Sequence, residues 1–414
     1  MTTDPIEYLF SLERLGMKFG LESIATLCSA LGQPQDAFRS VIIGGTNGKG
    51  SVTAMVSAAL GAAGHRTARY TSPHLERLEE RFVIDGREVG TDDLRAAAAR
   101  VQDAIARLQR GGALAAPPTF FECATAIAFD LFRAASVEIA VLEVGLGGRL
   151  DATNIVTPAL AAIVSIDFDH DALLGHTLAA IAFEKAGIIK PGIPVVVGAL
   201  PDEAMRVIAT VCAERGARLV AVDRRSFEAI DEVTGGAPLA LAGAHQRANA
   251  AVALAVLREL DAIGIRVRRE HMRAGLCDVR WPARLERLSR GACEVLLDAA
   301  HNPAGARALA DYLRSIGWSG VPLVFGAMQD KDVAAMIEPL AAVSGRIICT
   351  TAPTPRAMSA AALAEAARKI QPSPVVEAIA DPAAAMAHAC GMSRRVVAAG
   401  SIFLVGPLRG ILRA

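Results

Sequence analysis

The segment Gly44–Ser51 constrains this chain more than any other feature of its sequence. It reads Gly-Gly-Thr-Asn-Gly-Lys-Gly-Ser and follows the β-branched run Val41-Ile42-Ile43. Residues 51–63 then predict a helix that ends at Gly64. Glycines let the backbone N–H groups of such a loop converge on phosphate oxygens, and a helix N-terminus adds a favourable partial charge. The segment therefore predicts a phosphate-binding loop in an enzyme that consumes ATP.

The loop departs from the usual G-x-x-x-x-G-K-[ST] spacing in two places. Ile43 stands where the first glycine belongs, and Gly50 lies between Lys49 and Ser51. A tight glycine turn without a ligand is the alternative interpretation. The succession of strand, loop, lysine, serine and helix favours phosphate binding instead. We expect Lys49 to supply a cation to the outer phosphates and Ser51 to offer its hydroxyl to magnesium.

Length and composition bound the class of protein. A chain of 414 residues is too long for one ordinary core, which predicts two domains. Hydrophobic residues make up 52% and charged residues 21%, which excludes bulk disorder. Basic and acidic residues number 43 each, so the net charge does not indicate a nucleic-acid partner. The seven cysteines show no zinc spacing and are expected to be reduced.

The first residues and the apolar runs bear on localisation. Asp4 and Glu7 interrupt the N-terminus, which lacks an apolar core of signal-peptide length. The alanine-rich runs, such as Thr157 to Ile166, end far short of a membrane span. We therefore expect a cytoplasmic protein with no membrane partner.

Short β-branched runs alternate with longer alanine-rich stretches along the chain. In the first part we predict strands at Val41–Ile43, Glu138–Val144, Ala161–Ile166 and Ile193–Val197, and a helix at Leu178–Ile188. A second series predicts strands at Glu294–Leu297, Val321–Phe325 and Arg346–Thr350, with a helix at Ala304–Ile316. Arg280-Trp281-Pro282 is the predicted linker, and Gly111 to Pro118 a loop. The β-α-β rhythm predicts an α/β fold with a largely parallel sheet in an ATPase domain, residues 1–282, followed by a smaller α/β domain, residues 283–414.

Acidic residues follow two of the predicted strands. Glu143 ends one strand and precedes the glycine-rich run Gly145–Gly148. Ligands of open α/β sheets bind beyond the carboxyl ends of strands, so this carboxylate is a candidate magnesium ligand. A structural salt bridge, for instance with Arg149, is the alternative. The next strand leads into Asp167-Phe168-Asp169-His170-Asp171, which predicts a second cation site with His170 as a nitrogen ligand.

The residues alone do not assign a functional role to Lys185 or to Lys190. Glu184-Lys185 lies on the following predicted helix, where a lysine is normally solvated. Periodicity and spacing do not favour Lys185 over Lys190.

A set of short motifs runs along the chain. The N-terminal pieces are G-T-N-G-K-G-S (45–51), T-S-P-H-L (71–75), F-F-E (120–122), L-E-V-G-L-G-G-R-L-D-A-T-N (142–154), S-I-D-F-D-H (165–170) and E-K-A-G-I-I-K (184–190). The C-terminal pieces are H-Q-R-A-N-A (245–250), R-L-E (284–286), L-D-A-A-H-N-P (297–303) and F-G-A-M-Q-D-K-D (325–332). They span most of the chain in order, and this ordered set resembles folylpolyglutamate synthase and bifunctional dihydrofolate synthase/folylpolyglutamate synthase, of the Mur ligase superfamily.

This resemblance implies a role for each matching residue and a Rossmann-like fold for the smaller domain. The implied ATP contacts are Gly45, Thr46, Asn47, Gly48, Lys49, Gly50, Ser51, Asn249, Arg284 and Asp298. Two Mg²⁺ ions are implied, with ligands drawn from Ser51, Ser72, Glu143, His170 and Lys185, the last matching a carbamylated lysine. The implied catalytic residues are Lys49, His170, Lys185 and His301. The implied pterin-substrate contacts are Phe19, Gly20, Leu21, Thr119, Phe120, Phe121, Glu122, Leu150, Asp151 and Ala152.

The implied activity is the ATP-dependent addition of L-glutamate to dihydropteroate, to folates or to both. Its partners are these small molecules, and we expect a monomer. Two positions depart from the family pattern: Ala283 and Ala299 stand where the family has glycine, and only slight backbone adjustment is expected. A cell-wall Mur ligase and a regulatory nucleotide switch are the alternatives, and T-S-P-H and F-F-E argue against the first.

Overall fold

The computed structural model describes residues 4–16, 20–370 and 374–413. The chain forms two compact units. Unit 1 comprises Met1–Ala240 and Ala248–Val279, and unit 2 comprises Leu241–Arg247 and Arg280–Ala414. The short segment Leu241–Arg247 thus belongs with residues that follow it by more than thirty positions, an excursion that was not predicted from the sequence.

Unit 1 is built on an eight-stranded sheet. Its strands are β1 (Arg39–Gly44), β2 (Thr67–Tyr70), β3 (Phe82–Ile84), β4 (Arg87–Glu88), β5 (Ile139–Glu143), β6 (Leu160–Ile163), β7 (Val195–Val197) and β8 (Leu219–Ala221). They lie in the order β4-β3-β2-β5-β1-β6-β7-β8. All neighbours are parallel except β2 with β3 and β3 with β4. The chain reverses its direction of travel across the sheet at β1, which makes this strand the topological switch point where ligands of such sheets bind.

Eleven helices occur in the described part of unit 1. They are α1 (Pro5–Ser11), α2 (Glu22–Ala30), α3 (Lys49–Ala62), α4 (Thr91–Arg110), α5 (Phe120–Ala134), α6 (Asp171–Leu174), α7 (Leu178–Ala186), α8 (Asp202–Glu214), α9 (Arg224–Thr234), α10 (Ala244–Ala262) and α11 (Arg269–Cys277). The first residues of α10 belong to unit 2. The central strands are buried along their whole length because helices cover the sheet, which explains their unbroken apolar sequences.

The register of the central strands sets where the site lies. Ile43 of β1 pairs with Glu143 of β5, and Gly44 pairs with Ile163 of β6. The three strands therefore end almost level, and the loops that follow them share one edge of the sheet. Ile42 and its partner Leu142 face the same side of the sheet. Leu142 belongs to an apolar cluster with residues of α5, and Ile42 belongs to one with residues of α7.

Unit 2 is smaller and has a six-stranded sheet. Its strands are β9 (Glu286–Arg290), β10 (Cys293–Leu297), β11 (Val321–Phe325), β12 (Ser344–Cys349), β13 (Val375–Ala378) and β14 (Arg395–Ala399), in the order β13-β12-β11-β14-β10-β9. Only the β9–β10 pair is antiparallel. Its further helices are α12 (Pro303–Ser315), α13 (Val333–Ala341), α14 (Ala360–Arg368), α15 (Pro382–Met392) and α16 (Ile402–Arg413). The predicted α/β fold with a mainly parallel sheet and a second, smaller sheet is confirmed.

Most predicted elements are present, with shifted ends. The largest difference is in β6, which stops at Ile163 although the apolar run continues to Ile166. The backbone of Val164 and Ser165 bonds to residues 44 and 46 instead of continuing a strand ladder. The antiparallel strands β3 and β4 were not predicted. Among the described residues, no helix is long and apolar enough to cross a membrane.

Candidate active site

The glycine-rich loop connects β1 to α3 at the level end of the central strands. Gly48, the residue before the helix, has a φ of 83°. A Cβ atom at this position would lie 2.2 Å from Oδ1 of Asn249, so both the backbone angle and the space require glycine. Gly45 is as restricted: its φ is 144°, and a Cβ would lie 3.1 Å from the backbone nitrogen of Ser165. The loop conformation thus explains two of its glycines, and Asn249 lies directly against it.

Residues that follow β6 hold the loop in this shape. The backbone N–H of Thr46 donates to the carbonyl oxygen of Ser165 at 2.8 Å, and that of Asn47 donates to Ser165 Oγ at 2.9 Å. Ser165 Oγ in turn donates to the carbonyl of Asn47 at 2.9 Å. The Thr46 hydroxyl donates to the carbonyl of Asp167 at 3.1 Å. Sequence reasoning missed Ser165 as a support of the loop; its only signal was a hydroxyl after an apolar run.

Two lysines converge on one carbonyl oxygen of the loop. Lys49 Nζ donates to the oxygen of Gly45 at 3.0 Å and to that of Thr46 at 3.2 Å. Lys185 Nζ, from α7, donates to the same Gly45 oxygen at 3.0 Å. Lys185 is only 4% exposed. Its burial, and then the charge of Lys49, lower its pKa to about 7.

The choice between Lys185 and Lys190, open in the sequence, is clear in the structure. Lys190 lies beyond the end of α7 and donates to the carbonyl of Asn154 at 2.9 Å, a contact with a neighbouring loop. Of the two lysines, only Lys185 bonds to the phosphate-loop backbone.

Glu143, at the end of β5, is 6% exposed. Its Oε2 accepts the backbone N–H of Ser72 at 3.2 Å, which brings the T-S-P-H segment to the same edge of the sheet. Arg149 does not pair with it: the guanidinium of Arg149 bonds to Glu184, with Nη2 and Oε1 2.7 Å apart. Ser51, buried in the first turn of α3, also follows a strand that ends at this edge.

The acidic run after β6 is more dispersed than its sequence indicates. His170 has a φ of 55° and precedes α6, with its Nε2 3.8 Å from an oxygen of Asp169. Phe168 is exposed, whereas Asp167, Asp169 and His170 around it are half-buried. In the described chain, no three His, Cys, Asp or Glu side chains converge as a ready metal cluster. Any cation at this edge therefore needs further oxygen ligands from hydroxyls, phosphates, water or a modified lysine.

The predicted substrate residues of α5 divide into two groups. Thr119 and Glu122 form a capping box: the Thr119 N–H and hydroxyl both donate to Glu122 Oε2 at 2.8 Å. Phe120 is buried and stacks on Phe10, with 5.8 Å between ring centroids. Phe121 is half-buried, and its ring lies 6.1 Å from that of Tyr70. Phe121 is therefore the one aromatic of the pair with an accessible face.

Asp151 shapes the glycine-rich turn after β5. It is buried, and its two oxygens accept N–H groups of Leu146 and Thr153 at 2.9 and 3.0 Å. Burial raises its pKa despite these bonds. A Cβ on Gly145 would lie 2.7 Å from the ring of Phe121, so the turn packs closely on that aromatic.

The remaining substrate positions lie around these groups or elsewhere. Leu150 is half-buried and Ala152 is buried. Gly20 and Leu21 precede α2 and are half-buried, whereas Phe19 lies outside the described residues.

Within unit 2, the predicted residues gather at the end of β10. Both oxygens of Asp298 accept backbone N–H groups, from Leu285 and from Ala300, at 2.9 Å each. His301 Nδ1 is 3.0 Å from the carbonyl of Ala299, and Arg284 donates to the carbonyl of Ala283 at 3.0 Å.

The same cluster contains a residue that sequence analysis did not single out by itself. His245 lies close enough to Asp298 and Arg284 to feel both charges. Burial is the main cause that lowers the pKa of His245. The negative charge of Asp298 opposes this shift, and the positive charge of Arg284 adds to it.

Known proteins resemble this chain over nearly all of its length. The description "Mur ligase, glutamate ligase domain" matches residues 283–405. The folylpolyglutamate synthase of Lacticaseibacillus casei is 35% identical over 373 residues, which cover 86% of this chain and 87% of that protein. The Mycobacterium tuberculosis folylpolyglutamate synthase complexed with ADP superposes with a TM-score of 0.89 at 32% identity, covering 99% of both chains. A bifunctional folylpolyglutamate synthase/dihydrofolate synthase from Yersinia pestis, complexed with AMPPNP and Mn, gives a TM-score of 0.85 at 32% identity, covering 100% of this chain and 99% of the other.

This chain belongs to the folylpolyglutamate synthase/dihydrofolate synthase family. It is therefore an ATP-dependent ligase of folate metabolism within the Mur ligases. The resemblance inferred from the ordered motifs is confirmed by these relatives.

One of the chain's departures from the family pattern has a backbone consequence. Ala283, where the family has glycine, adopts a φ of 56°, a region that alanine rarely occupies. The slight backbone adjustment expected from the sequence is thus a strained backbone conformation of Ala283, just before β9.

Proposed function

We propose that this chain joins L-glutamate to the carboxylate of dihydropteroate, of a folate, or of both, through an acyl phosphate. One observation carries the proposal: two ammonium groups meet at the Gly45 carbonyl, beside a helix N-terminus, level with the carboxylate of Glu143. That arrangement suits a triphosphate and the oxygen atoms of a transferred phosphoryl group.

The chemistry requires activation because a carboxylate is a poor acylating agent. Attack of the carboxylate on the γ-phosphorus of ATP forms a C–O–P linkage and releases ADP. The glutamate amine then attacks the acyl carbon and loses a proton, and the tetrahedral intermediate expels inorganic phosphate. Lys49 and the N–H groups at the start of α3 hold the phosphoryl oxygens while charge moves between them. Exclusion of water protects the acyl phosphate from hydrolysis.

The residues at the sheet edge fit a divalent cation. Glu143 is a single buried carboxylate beside the Ser72 backbone, and Ser51 offers a hydroxyl in the first turn of α3. Mg²⁺ prefers a small number of such oxygen ligands together with water and phosphate oxygens. When bound, it neutralises the phosphate charge. Two ions, with Glu143, His170 and a modified Lys185 as ligands of the second, extend this proposal.

Lys185 is suited to carbamylation. A pKa of about 7 leaves a large share of neutral amine, whose lone pair attacks carbon dioxide to form an N–C bond with loss of a proton. The product is an anion. It exchanges the repulsion from Lys49 for attraction and adds oxygen ligands at a place where the described side chains supply few.

The pterin ring is proposed to lie on Phe121, between the start of α5 and the turn after β5. The accessible face of Phe121, backed by Tyr70, suits a flat heterocycle. We propose that Thr119, Glu122 and Asp151 act mainly by positioning, because their polar atoms already bond to backbone or to one another.

A substrate comparison tests the ligase proposal. Purified protein is given ATP, Mg²⁺ and labelled L-glutamate with dihydropteroate in one arm and tetrahydrofolate in the other. Label should enter the pterin product with one ADP and one phosphate per addition. Activity only with tetrahydrofolate would restrict the function to polyglutamylation, as the name of the Lacticaseibacillus casei relative suggests. ATP hydrolysis without glutamate incorporation in either arm would overturn the proposal in favour of a nucleotide switch.

A second experiment tests the carbamate. Lys185→Ala should abolish ligation, and short-chain carboxylic acids should restore part of it by supplying an oxygen ligand in the vacated space. Lys190→Ala, a neighbouring lysine that bonds elsewhere, is the matched control and should retain activity. Full activity of the Lys185→Ala protein would refute the carbamate role.

Oligomeric state and location stay predictions of a cytoplasmic monomer. Light scattering coupled to size-exclusion chromatography measures the first, and fractionation of cells that express the native gene measures the second.

A further inference from the structure

A basic groove, separate from the loop edge, lies between α2, α4 and α5 of unit 1. It is an open cavity of about 530 Å³, and its charged lining residues are Arg100, Asp103, Arg107, Arg110, Asp130 and Arg133. Four arginines face two aspartates, so the groove carries two uncompensated positive charges. The chain as a whole has none.

The position of the groove separates it from the nucleotide edge. Asp130 and Arg133 lie in the last turns of α5, just before the chain enters β5 at its N-terminal end. The phosphate loop and Glu143 lie beyond the carboxyl ends of the same parallel strands. The groove therefore opens near the opposite edge of the sheet, and the ligase chemistry described above does not use it.

Two of the arginines are fixed by a buried carboxylate. The side chain of Asp130 is 2% exposed, and its Oδ2 accepts from Arg100 Nε at 2.7 Å while its Oδ1 accepts from Arg133 Nη2 at 2.6 Å. Arg133 Nη1 also donates to the carbonyl of Leu31 at 2.7 Å. Both guanidinium groups are held at the surface with donors left over, because a guanidinium has five N–H bonds.

The side chains of the other two arginines, Arg107 and Arg110, have no hydrogen bond or ion pair to any described residue. They occupy the last turn of α4 and stand three positions apart, so their charges repel across one helical turn, and Asp103, four positions before Arg107, offsets part of this repulsion. Partial negative charge at the helix C-terminus offsets only part of this repulsion. An anionic ligand would relieve it and find the Asp130-held pair already in place.

We propose that this groove binds a linear oligoanion, a ligand with several carboxylate or phosphate groups spaced along a chain. Planar guanidinium groups bind either oxyanion through paired N–H donors, which explains why arginine rather than lysine lines the groove. An open groove with several separated cations suits an extended ligand better than a single ion. The proposal does not depend on the ligase activity.

Binding of two probes tests the proposal. Penta-γ-glutamate and tripolyphosphate, each fluorescently labelled, are titrated into the full chain at low salt and again at physiological salt. The Arg107→Gln/Arg110→Gln protein should bind at least one probe about ten-fold more weakly than the unaltered chain, a loss of about 1.4 kcal/mol. Preference for one probe identifies the ligand as a carboxylate or a phosphate chain.

A charge-matched control separates the groove from general electrostatics. Arg224→Gln/Arg225→Gln removes the same charge from two exposed arginines of α9 and should leave both affinities unchanged within two-fold. Thermal unfolding should be similar for the two variants, because the side chains of Arg107 and Arg110 make no bonds and the ion pair of Arg224 with Glu228 is exposed and contributes little. Glutamate ligation should also be unchanged in the groove variant.

Three outcomes would overturn the proposal. They are the absence of binding by either probe, an equal loss in the Arg224/Arg225 control, and full displacement of the probe by AMPPNP, which would place it at the nucleotide edge.

Discussion

Two strand-to-helix connections of this chain, one in each unit, solve the same geometric problem in opposite ways. In unit 1, β1 passes through glycines into α3, and Gly48 has no side chain with which to cap the helix. In unit 2, β10 passes through Asp298 to His301 into α12, and Asn302 caps the helix by accepting the N–H of Gly305 at 2.9 Å. The first helix start has no side-chain cap, and we propose that an anionic ligand bonds to its N–H groups. The second uses its own side chain to satisfy them.

The contrast shows how one type of connection yields either a binding site or a structural joint. A helix start without a cap costs stability, which an anion can return when it binds. A helix start with a cap is stable without a ligand, so any function of such a connection depends on its side chains. The four predictions below test this contrast, from the largest expected effect to the smallest.

Gly48→Ala should disable the unit 1 connection. The Cβ of the new alanine would lie 2.2 Å from Asn249 Oδ1, so the loop or Asn249 must move. The N–H groups at the start of α3 would then no longer point at the phosphate oxygens. Loss of two charged hydrogen bonds at about 1.5 kcal/mol each weakens ATP binding about 100-fold, measurable by calorimetric titration. Gly64→Ala is the control: Gly64 has a similar φ of 86°, with nothing within 4 Å of a Cβ. If both variants bind ATP alike, strain rather than the loop contact decides affinity.

Lys185 should make the stability of unit 1 depend on pH above pH 7, whereas His245 of unit 2, whose pKa is lowered below its ordinary value, acts at lower pH. Its folded pKa of about 7 lies below the ordinary lysine value, so above pH 7 the unfolded chain holds more protons and stability rises with pH up to the unfolded pKa. In buffer free of carbon dioxide, the unfolding midpoint in urea should increase from pH 7 to 9.5. Lys185→Met should flatten that rise. An equal rise in the variant would place its origin elsewhere.

Asn302→Ala should destabilise the chain by about 1 kcal/mol through loss of the α12 cap. The matched variant is Asp381→Ala, because Asp381 caps α15 by accepting the N–H of Ala384 at 2.7 Å. Both should lower the urea midpoint by similar amounts. An unchanged midpoint in Asn302→Ala would mean that solvent replaces the cap without cost, contrary to the comparison.

Ala283→Gly should have the smallest effect, a gain of up to about 1 kcal/mol, because it removes the strain of a φ of 56°. Unit 1 already places glycine at such angles in its phosphate loop. Ala299, the other departure from the family pattern, shows no positive φ in the described chain, so Ala299→Gly should lower stability slightly. Opposite signs in denaturant melts confirm the reading; equal signs contradict it.

Much of the fold was predictable because parallel strands covered on both faces have unbroken apolar sequences. Val321–Phe325 was predicted to the residue. The predicted strand β6 was too long, because the apolar sequence continues to Ile166. The backbone of Val164 and Ser165 nevertheless bonds to the phosphate loop. Hydropathy registers burial and carries no information on hydrogen-bond partners.

The candidate site was predictable where a motif has a local cause and not where its cause is tertiary. Gly48 and Lys49 follow from the loop itself. The preference for Lys185 over Lys190 depends on which ammonium reaches Gly45, from 140 residues away. Glu122 and Asp151 match substrate motifs, yet their bonds to nearby backbone could not be distinguished from ligand contacts by residue type alone.

The pairing of Ile43 with Glu143 has a consequence for anyone who would lengthen or shorten this protein. The hydrogen-bonded register between β1 and β5 fixes the distance between the Glu143 carboxylate and the phosphate loop. Deleting one residue from β5 would turn Glu143 to the other face, since neighbouring side chains alternate. The same deletion in the loop before β5 would leave the register between β1 and β5 unchanged. Tolerance to insertions should therefore change abruptly where the ladder begins, at Arg39 and Ile139.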